Sequence, residues 1–264
     1  MKQNSILLSF DVEEFDLPKE FGAEISAADQ LSIAGAGTER ILDVIEKTGI
    51  RATFFVTGKF AEAFPELISR MTASGGEIAS HGYDHSFFET AHLEKSARIL
   101  GKISGKEIRG FRMARLAPVK KEDILKAGFT YESSLNPVWL PGRYCNLTAP
   151  LLPFREPCGL LQFPISAMPL IRFPLFWLSF KNLPLSLYCA LASFTLNRTG
   201  YFNMYSHPFE YQEDARDPKW KIPGYITRHA GPEQAERLET LIQKLRPHGC
   251  FETFSEWIRQ NVQP

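Results

Sequence analysis

The chain has 264 residues, 30 basic and 30 acidic side chains, and an apolar share of 44%. That length fits one large domain or two small ones, and α/β barrels reach it as a single unit. Balanced charge without like-charge blocks argues against nucleic-acid binding, and Cys145, Cys158, Cys189 and Cys250, with no C-x-x-C pair, argue against a cysteine zinc site or a disulfide framework.

In chain order, Ile6–Phe10 is a short apolar run that reads as a buried parallel strand. It meets Asp11 at once, so it is neither a signal peptide nor an anchor, and a cytoplasmic protein is expected. Residues 16–37 read as a Gly-, Ala- and Ser-rich loop. Thr38 is the expected N-cap of a helix that ends at Gly49. Residues 52–56 read as a strand closed by Gly58, residues 65–71 as a helix, and residues 77–80 as a strand ending at His81. A helix from Thr90 to Gly105 follows, then a strand over 108–112, a helix over 120–127 and extended chain at 129–131. Strands are expected over 160–163, 201–205 and 251–254, and a helix from Pro232 to Leu245. The alternation predicts parallel βα units, with the polar residues of interest just beyond strand ends.

His81 and His85 are four apart, so on one helical turn both rings would face one ion. Asp11 and Glu13 are two apart on extended chain and leave it on one side. One carboxylate there can bind metal while the other takes a proton from water. Arg112, at a strand end, is either a clamp that orients a carboxylate or a surface ion pair. His207 is held extended by Pro208; it is either a proton donor to a leaving amine or a hydrogen-bonded core histidine.

Taken together, Ser9-Phe10-Asp11-Val12-Glu13, Ser80-His81-Gly82-Tyr83-Asp84-His85, Gly110-Phe111-Arg112, Tyr131-Glu132-Ser133-Ser134 and Tyr205-Ser206-His207-Pro208 resemble the motifs of the polysaccharide deacetylase family, the NodB-homology carbohydrate esterases. The likeness runs from about Ile6 to Pro208 and is greatest to the branch whose first motif reads D-V-[DE]-[DE]. It implies an α/β fold, a distorted (β/α) barrel of seven or so parallel strands, as one domain over 1–264 with an apolar insertion near 164–193.

The resemblance also implies roles. Asp11 would be the general base, Arg112 its orienting partner, and His207 the general acid. Glu13, His81 and His85 would bind a divalent cation, zinc first, with cobalt or nickel as alternatives; Glu14 and Asp16 are the alternative carboxylates. Met113-Ala114-Arg115 replaces the proline and aromatic that follow the arginine in the family, and the backbone N–H near Arg115 would stabilise the oxyanion. The implied reaction removes an N-acetyl group from an amino sugar of a glycan or of a lipid- or nucleotide-linked precursor. The alternatives are another C–N hydrolase on the same fold, such as a deformylase of a lipid-linked amino sugar or an allantoinase-like enzyme, and a non-catalytic carbohydrate-binding relic. The insertion reads either as packed on the barrel or as a flap that makes peripheral membrane contact.

Overall fold

The first apolar run becomes an interior strand of the computed structural model, which describes residues 3–262. This strand, β1 (Ser5–Val12), is buried at every position, as expected of a parallel strand covered on both faces. It is followed by α1 (Ala27–Thr48), β2 (Thr53–Val56), α2 (Gly58–Ala63), α3 (Pro65–Ala73), β3 (Glu77–Ser80), α4 (Ala91–Ser104), β4 (Gly110–Phe111), α5 (Lys121–Lys126) and β5 (Tyr131–Glu132). A separate hairpin of β6 (Trp139–Leu140) and β7 (Tyr144–Cys145) comes next. Then come β8 (Phe154–Arg155), β9 (Leu161–Gln162), α6 (Trp177–Asn182), α7 (Leu185–Thr199), β10 (Tyr201–Ser206), α8 (Gly224–Thr227), α9 (Pro232–Leu245), β11 (Cys250–Phe251) and α10 (Phe254–Asn261).

The main sheet runs β10-β1-β2-β3-β4-β5-β9-β8, with β11 also beside β1. Strands β10, β1, β2, β3, β4, β5 and β9 are parallel neighbours, the expected set, while β8 is antiparallel to β9. The ladder stops at β10 and at β8. Across the gap Ser166 donates its backbone N–H to Asn203 O at 2.9 Å, and Asn203 Nδ2 donates to Pro164 O at 3.0 Å. The sheet therefore curls without a closed ladder. Helices pack outside it, and the largest core cluster joins Phe10 and Phe54 of the sheet to Ile41 of α1 and Leu238 of α9.

Several boundaries differ from the sequence reading. Helix α1 begins at Ala27, with Ser26 as its N-cap, and not after Thr38. Thr38 is buried mid-helix and bonds Ala34 O. Gly35 and Gly37 were read as loop residues, but they are places of close approach. A Cβ on Gly37 would lie 2.0 Å from Pro208 O, and one on Gly35 would lie 2.9 Å from the Phe64 ring. Gly58 opens α2 and does not merely end a strand, because Thr57 caps the helix through Phe60 N. The final strand is shorter than expected, since Thr253 already forms a capping box with Glu256.

The apolar insertion is mostly packed. Leu175, Phe180 and Tyr188 are fully buried, whereas Leu170 and Ile171 at its tip and Leu187 are exposed. Among the described residues no helix is long and apolar enough to cross a membrane.

Candidate active site

Strand ends deliver the polar residues to one pocket of about 290 Å³. Asp11 and Glu13 enter from β1 and the residue beyond it, and their spacing puts both on the pocket side. His81 prolongs the β3 ladder by donating its N–H to Val56 O at 2.9 Å. The chain then turns at Gly82, whose φ of 81° favours glycine. The loop is pinned where Gly58 N donates to Gly82 O and Lys59 N to Tyr83 O. His81 and His85 are thus brought together by a pinned loop and not, as the spacing suggested, by a turn of helix. Their rings lie 5.8 Å apart and nearly parallel.

Glu13 Oε2 lies 2.8 Å from His81 Nε2 and 3.0 Å from His85 Nε2. Burial opposes ionisation of Glu13, but the attraction of His85 and hydrogen bonds from both rings outweigh it and hold the carboxyl well below its usual range. Glu14 turns away, its Oε2 accepting from Thr57 Oγ1 at 2.9 Å, and burial raises its carboxyl. Asp16 stands behind the cluster, with its Oδ1 2.7 Å from His85 Nδ1. Burial acts against the Asp16 carboxylate, but the bond from His85 and its charge bring it down to about 2. Burial also lowers His85, and Glu13 with Asp16 reverses this and raises it to about 10.

The donor set fits a divalent cation. One atom from each of Glu13, His81 and His85 lies within 4.8 Å of the other two, and all three residues are buried. Two imidazoles and a carboxylate suit zinc or a neighbouring first-row ion, and three protein ligands leave a position for solvent. Asp16 on Nδ1 fixes the tautomer that turns His85 Nε2 toward that ion.

Arg112 is fully buried. Its Nη1 lies 2.5 Å from Asp11 Oδ1 and 3.0 Å from Ser9 Oγ, its Nε donates to Ser133 O and its Nη2 to Ser133 Oγ. Its guanidinium lies 4.0 Å from the Phe55 ring centre. Of the two sequence readings of Arg112, the surface ion pair is therefore wrong.

His207 follows β10, and its Nδ1 lies 3.0 Å from Glu210 Oε1, which also accepts the His207 backbone N–H at 2.8 Å. Glu210 Oε2 lies 3.2 Å from Lys181 Nζ, and both residues are fully buried. Lys181 Nζ also donates to Ile226 O at 2.7 Å. Burial raises the Glu210 carboxyl, but Lys181 and His207 outweigh it and leave it low. Burial lowers His207, and the Glu210 bond together with the charges of Glu13, Glu210 and Asp11 more than compensates, so the ring stays protonated to higher pH than usual. Trp177 stands edge-on to the His207 ring at 5.1 Å.

Sequence reading missed Lys181, Glu210, Trp177 and the side chain of Arg115. A signal for Glu210 existed: an acid three residues beyond an N-cap position reads as a capping turn. Lys181 was also marked, as one of two cations in an apolar stretch, since a buried lysine needs a partner. Arg115 has a left-handed φ of 56°. Its guanidinium bonds Glu20 at 2.6 Å, His85 O at 2.9 Å and Asp16 at 3.1 Å, so it braces the histidine loop.

The model of the polysaccharide deacetylase family matches residues 2–127. A 75-residue stretch is 40% identical to the peptidoglycan-N-acetylglucosamine deacetylase of Bacillus cereus, covering 26% of this chain and 27% of that one. Another, of 108 residues, is 31% identical to the peptidoglycan deacetylase of Helicobacter pylori, covering 38% and 37%. The chain spans about a quarter to a third of the length of the first curated relatives it matches. In fold it is similar to the crystal structure of a probable polysaccharide deacetylase from Pseudomonas aeruginosa PAO1, with a TM-score of 0.68 at 17% identity over 99% of this chain and 93% of that one.

Proposed function

We propose that this chain, whose residues 2–127 match the model of the polysaccharide deacetylase family, is a metal-dependent hydrolase of the N-acetyl group of an amino sugar. The observation that carries the reading is the convergence of Glu13, His81 and His85 in the same pocket as Asp11 and His207. A zinc-like cation on Glu13, His81 and His85 would act as a Lewis acid and ease ionisation of water at neutral pH.

The protein's own groups do the rest. Asp11, fixed by Arg112, accepts the proton of the water that attacks the amide carbon. A backbone N–H near Arg115, which lines the pocket, would stabilise the oxygen on which charge develops; such a donor is typically worth about 3–4 kcal/mol in the transition state. His207, held by Glu210, protonates the departing amine. Acetate and a free amino sugar result. Trp177 and Phe209 line the pocket beside His207 and offer apolar surface to the sugar ring.

The sugar belongs to a glycan or to a lipid- or nucleotide-linked precursor. We place the protein in the cytoplasm, a reading supported by its four free cysteines. A second reading, hydrolysis of another amide such as a formamide, is favoured by one feature. Arg115 stands at the pocket where the family has a proline and an aromatic.

The test is a panel of N-acetylated, N-formylated and cyclic-amide substrates with protein loaded with zinc, cobalt or nickel. Release of acetate by the loaded protein, and its absence after chelation, is the expected result. Formate release alone would favour the second reading, and no hydrolysis with any metal would remove both.

A further inference from the structure

We propose that the rim of the pocket formed by the β6–β7 hairpin and the tip near Leu170 docks on an anionic lipid surface. The observation is where this chain exposes apolar side chains. Of the nine large hydrophobics that stand exposed among the described residues, five (Trp139, Leu147, Leu152, Leu170 and Ile171) fall between residues 137 and 176, and Phe87, Leu187, Phe194 and Tyr225 lie elsewhere.

Leu170 is the extreme case. It is 96% exposed, and its φ of 72° lies in the left-handed region, which costs any residue with a Cβ. It sits at the tip of a tight hairpin, closed by the Ala167–Pro174 bridge and by Arg172 N donating to Met168 O at 3.0 Å. Glycine or asparagine would serve that turn better in water. Ile171 beside it is 69% exposed. Neither side chain is packed, and two adjacent aliphatics at one protruding tip offer apolar surface to an external contact.

The two tips belong to one surface. Arg172 Nη1 donates to Pro137 O at 3.1 Å and to Ala149 O at 2.7 Å, which ties the Leu170 tip to the loops flanking the β6–β7 hairpin. Trp139 of that hairpin is 61% exposed, while Leu140, Pro141, Arg143 and Tyr144 line the pocket. The exposed rim is therefore continuous with the pocket mouth.

Charge selects the occupant. Between residues 137 and 176 the residues of fixed charge are Arg143, Arg155, Arg172 and Glu156; Arg172 is committed to the two carbonyls and Arg143 lies 3.6 Å from Glu20, so Arg143 and Arg155 are the exposed cations, and cations stay in excess with Glu20 counted. Tryptophan, branched aliphatics on protruding turns and arginines that keep their heads in the polar layer suit the boundary of a bilayer. Arginine adds attraction to anionic headgroups. The claim is independent of the hydrolytic reading, though together they imply a sugar presented at a lipid surface.

The experiment is flotation of the full chain with phosphatidylcholine vesicles, with and without one quarter phosphatidylglycerol, read also by Trp139 fluorescence. The expected result is binding that needs the anionic lipid and falls at least tenfold in L170D/I171D. Circular dichroism of the variant matching wild type would show that the fold is kept. Failure of wild type to float with anionic vesicles, or equal binding by a folded L170D/I171D, would overturn the proposal. Light scattering gives a further outcome: a dimer abolished by L170D/I171D, without vesicle binding, would make a second copy the occupant and refute the lipid claim. Vesicle binding by a protein that hydrolyses nothing would refute the proposed function and leave this surface standing.

Discussion

Arg112 Nη1 lies 2.5 Å from Asp11 Oδ1, with the other hydrogen bonds of Arg112 going to Ser9 and Ser133. The pair is almost wholly removed from solvent. A charge so placed is stabilised by its partners or not at all, so the two residues form a unit.

Arg112→Lys keeps the charge but loses the planar fork that reaches Asp11 and Ser133 together. A misplacement of the base by about 1 Å is expected to reduce kcat about 100-fold with little change in KM. Arg112→Met, which leaves Asp11 buried without a partner, should cost about 3–5 kcal/mol in chemical denaturation. Near-wild-type turnover in Arg112→Lys would argue against any orienting role.

Asp11→Asn should bind metal as wild type does, because Asp11 is outside the Glu13, His81 and His85 cluster. Loss of the base should lower kcat by about 10²–10⁴-fold. Elemental analysis and single-turnover kinetics on one preparation test both halves; full activity would remove Asp11 as the base.

Glu13→Gln and His81→Ala should lose most of their metal, whereas Glu14→Gln should keep it. The distinction follows from direction: Glu13 Oε2 faces both rings, and Glu14 bonds Thr57 instead. Glu14 is buried with its carboxyl raised, so replacing it with the neutral amide should cost little stability. Metal lost in Glu14→Gln and retained in Glu13→Gln would reverse the assignment.

The fold and the candidate site were legible to different degrees. Short apolar runs ending in Asp11, His81 and His207 marked strands and pocket together, because a parallel sheet places functional groups at its carboxyl edge. The start of α1 was not legible. Glycines 35 and 37 have a loop's composition, and only the packed neighbours Phe64 and Pro208 show why a side chain is excluded there. The support behind the catalytic groups was equally hidden. Nothing local pairs Lys181 with Glu210 or Ser133 with Arg112, since those contacts exist only after the sheet has curled.

Glu210→Gln should move the alkaline limb of the kcat/KM profile to lower pH, because the bond to Glu210 is the largest of the influences that raise His207 above the ordinary 6.5. His207, raised on folding, contributes fully below about 6.5 and loses that contribution as pH rises through its folded value. Glu210, lowered on folding from 4.5, contributes above that value and loses its share as pH falls through its folded pKa. Both contributions are therefore complete between about 4.5 and 6.5, and thermal melts of Glu210→Gln and wild type should differ most there. Lys181→Met, which removes the lysine partner of buried Glu210 and leaves it only His207 as a charged partner, should be about 3–5 kcal/mol less stable. An unchanged alkaline limb in Glu210→Gln would detach Glu210 from the acid.

The bare contact between Gly37 and Pro208 O brings α1 against the backbone that carries His207, the proposed proton donor. With no side chain between them, a shift of α1 is passed directly to that backbone. A methyl group at position 37 would displace one or the other and be felt as slower leaving-group departure, far from any residue that touches the sugar. Screens for altered activity should thus turn up hits along the inner face of α1 as well as around the pocket.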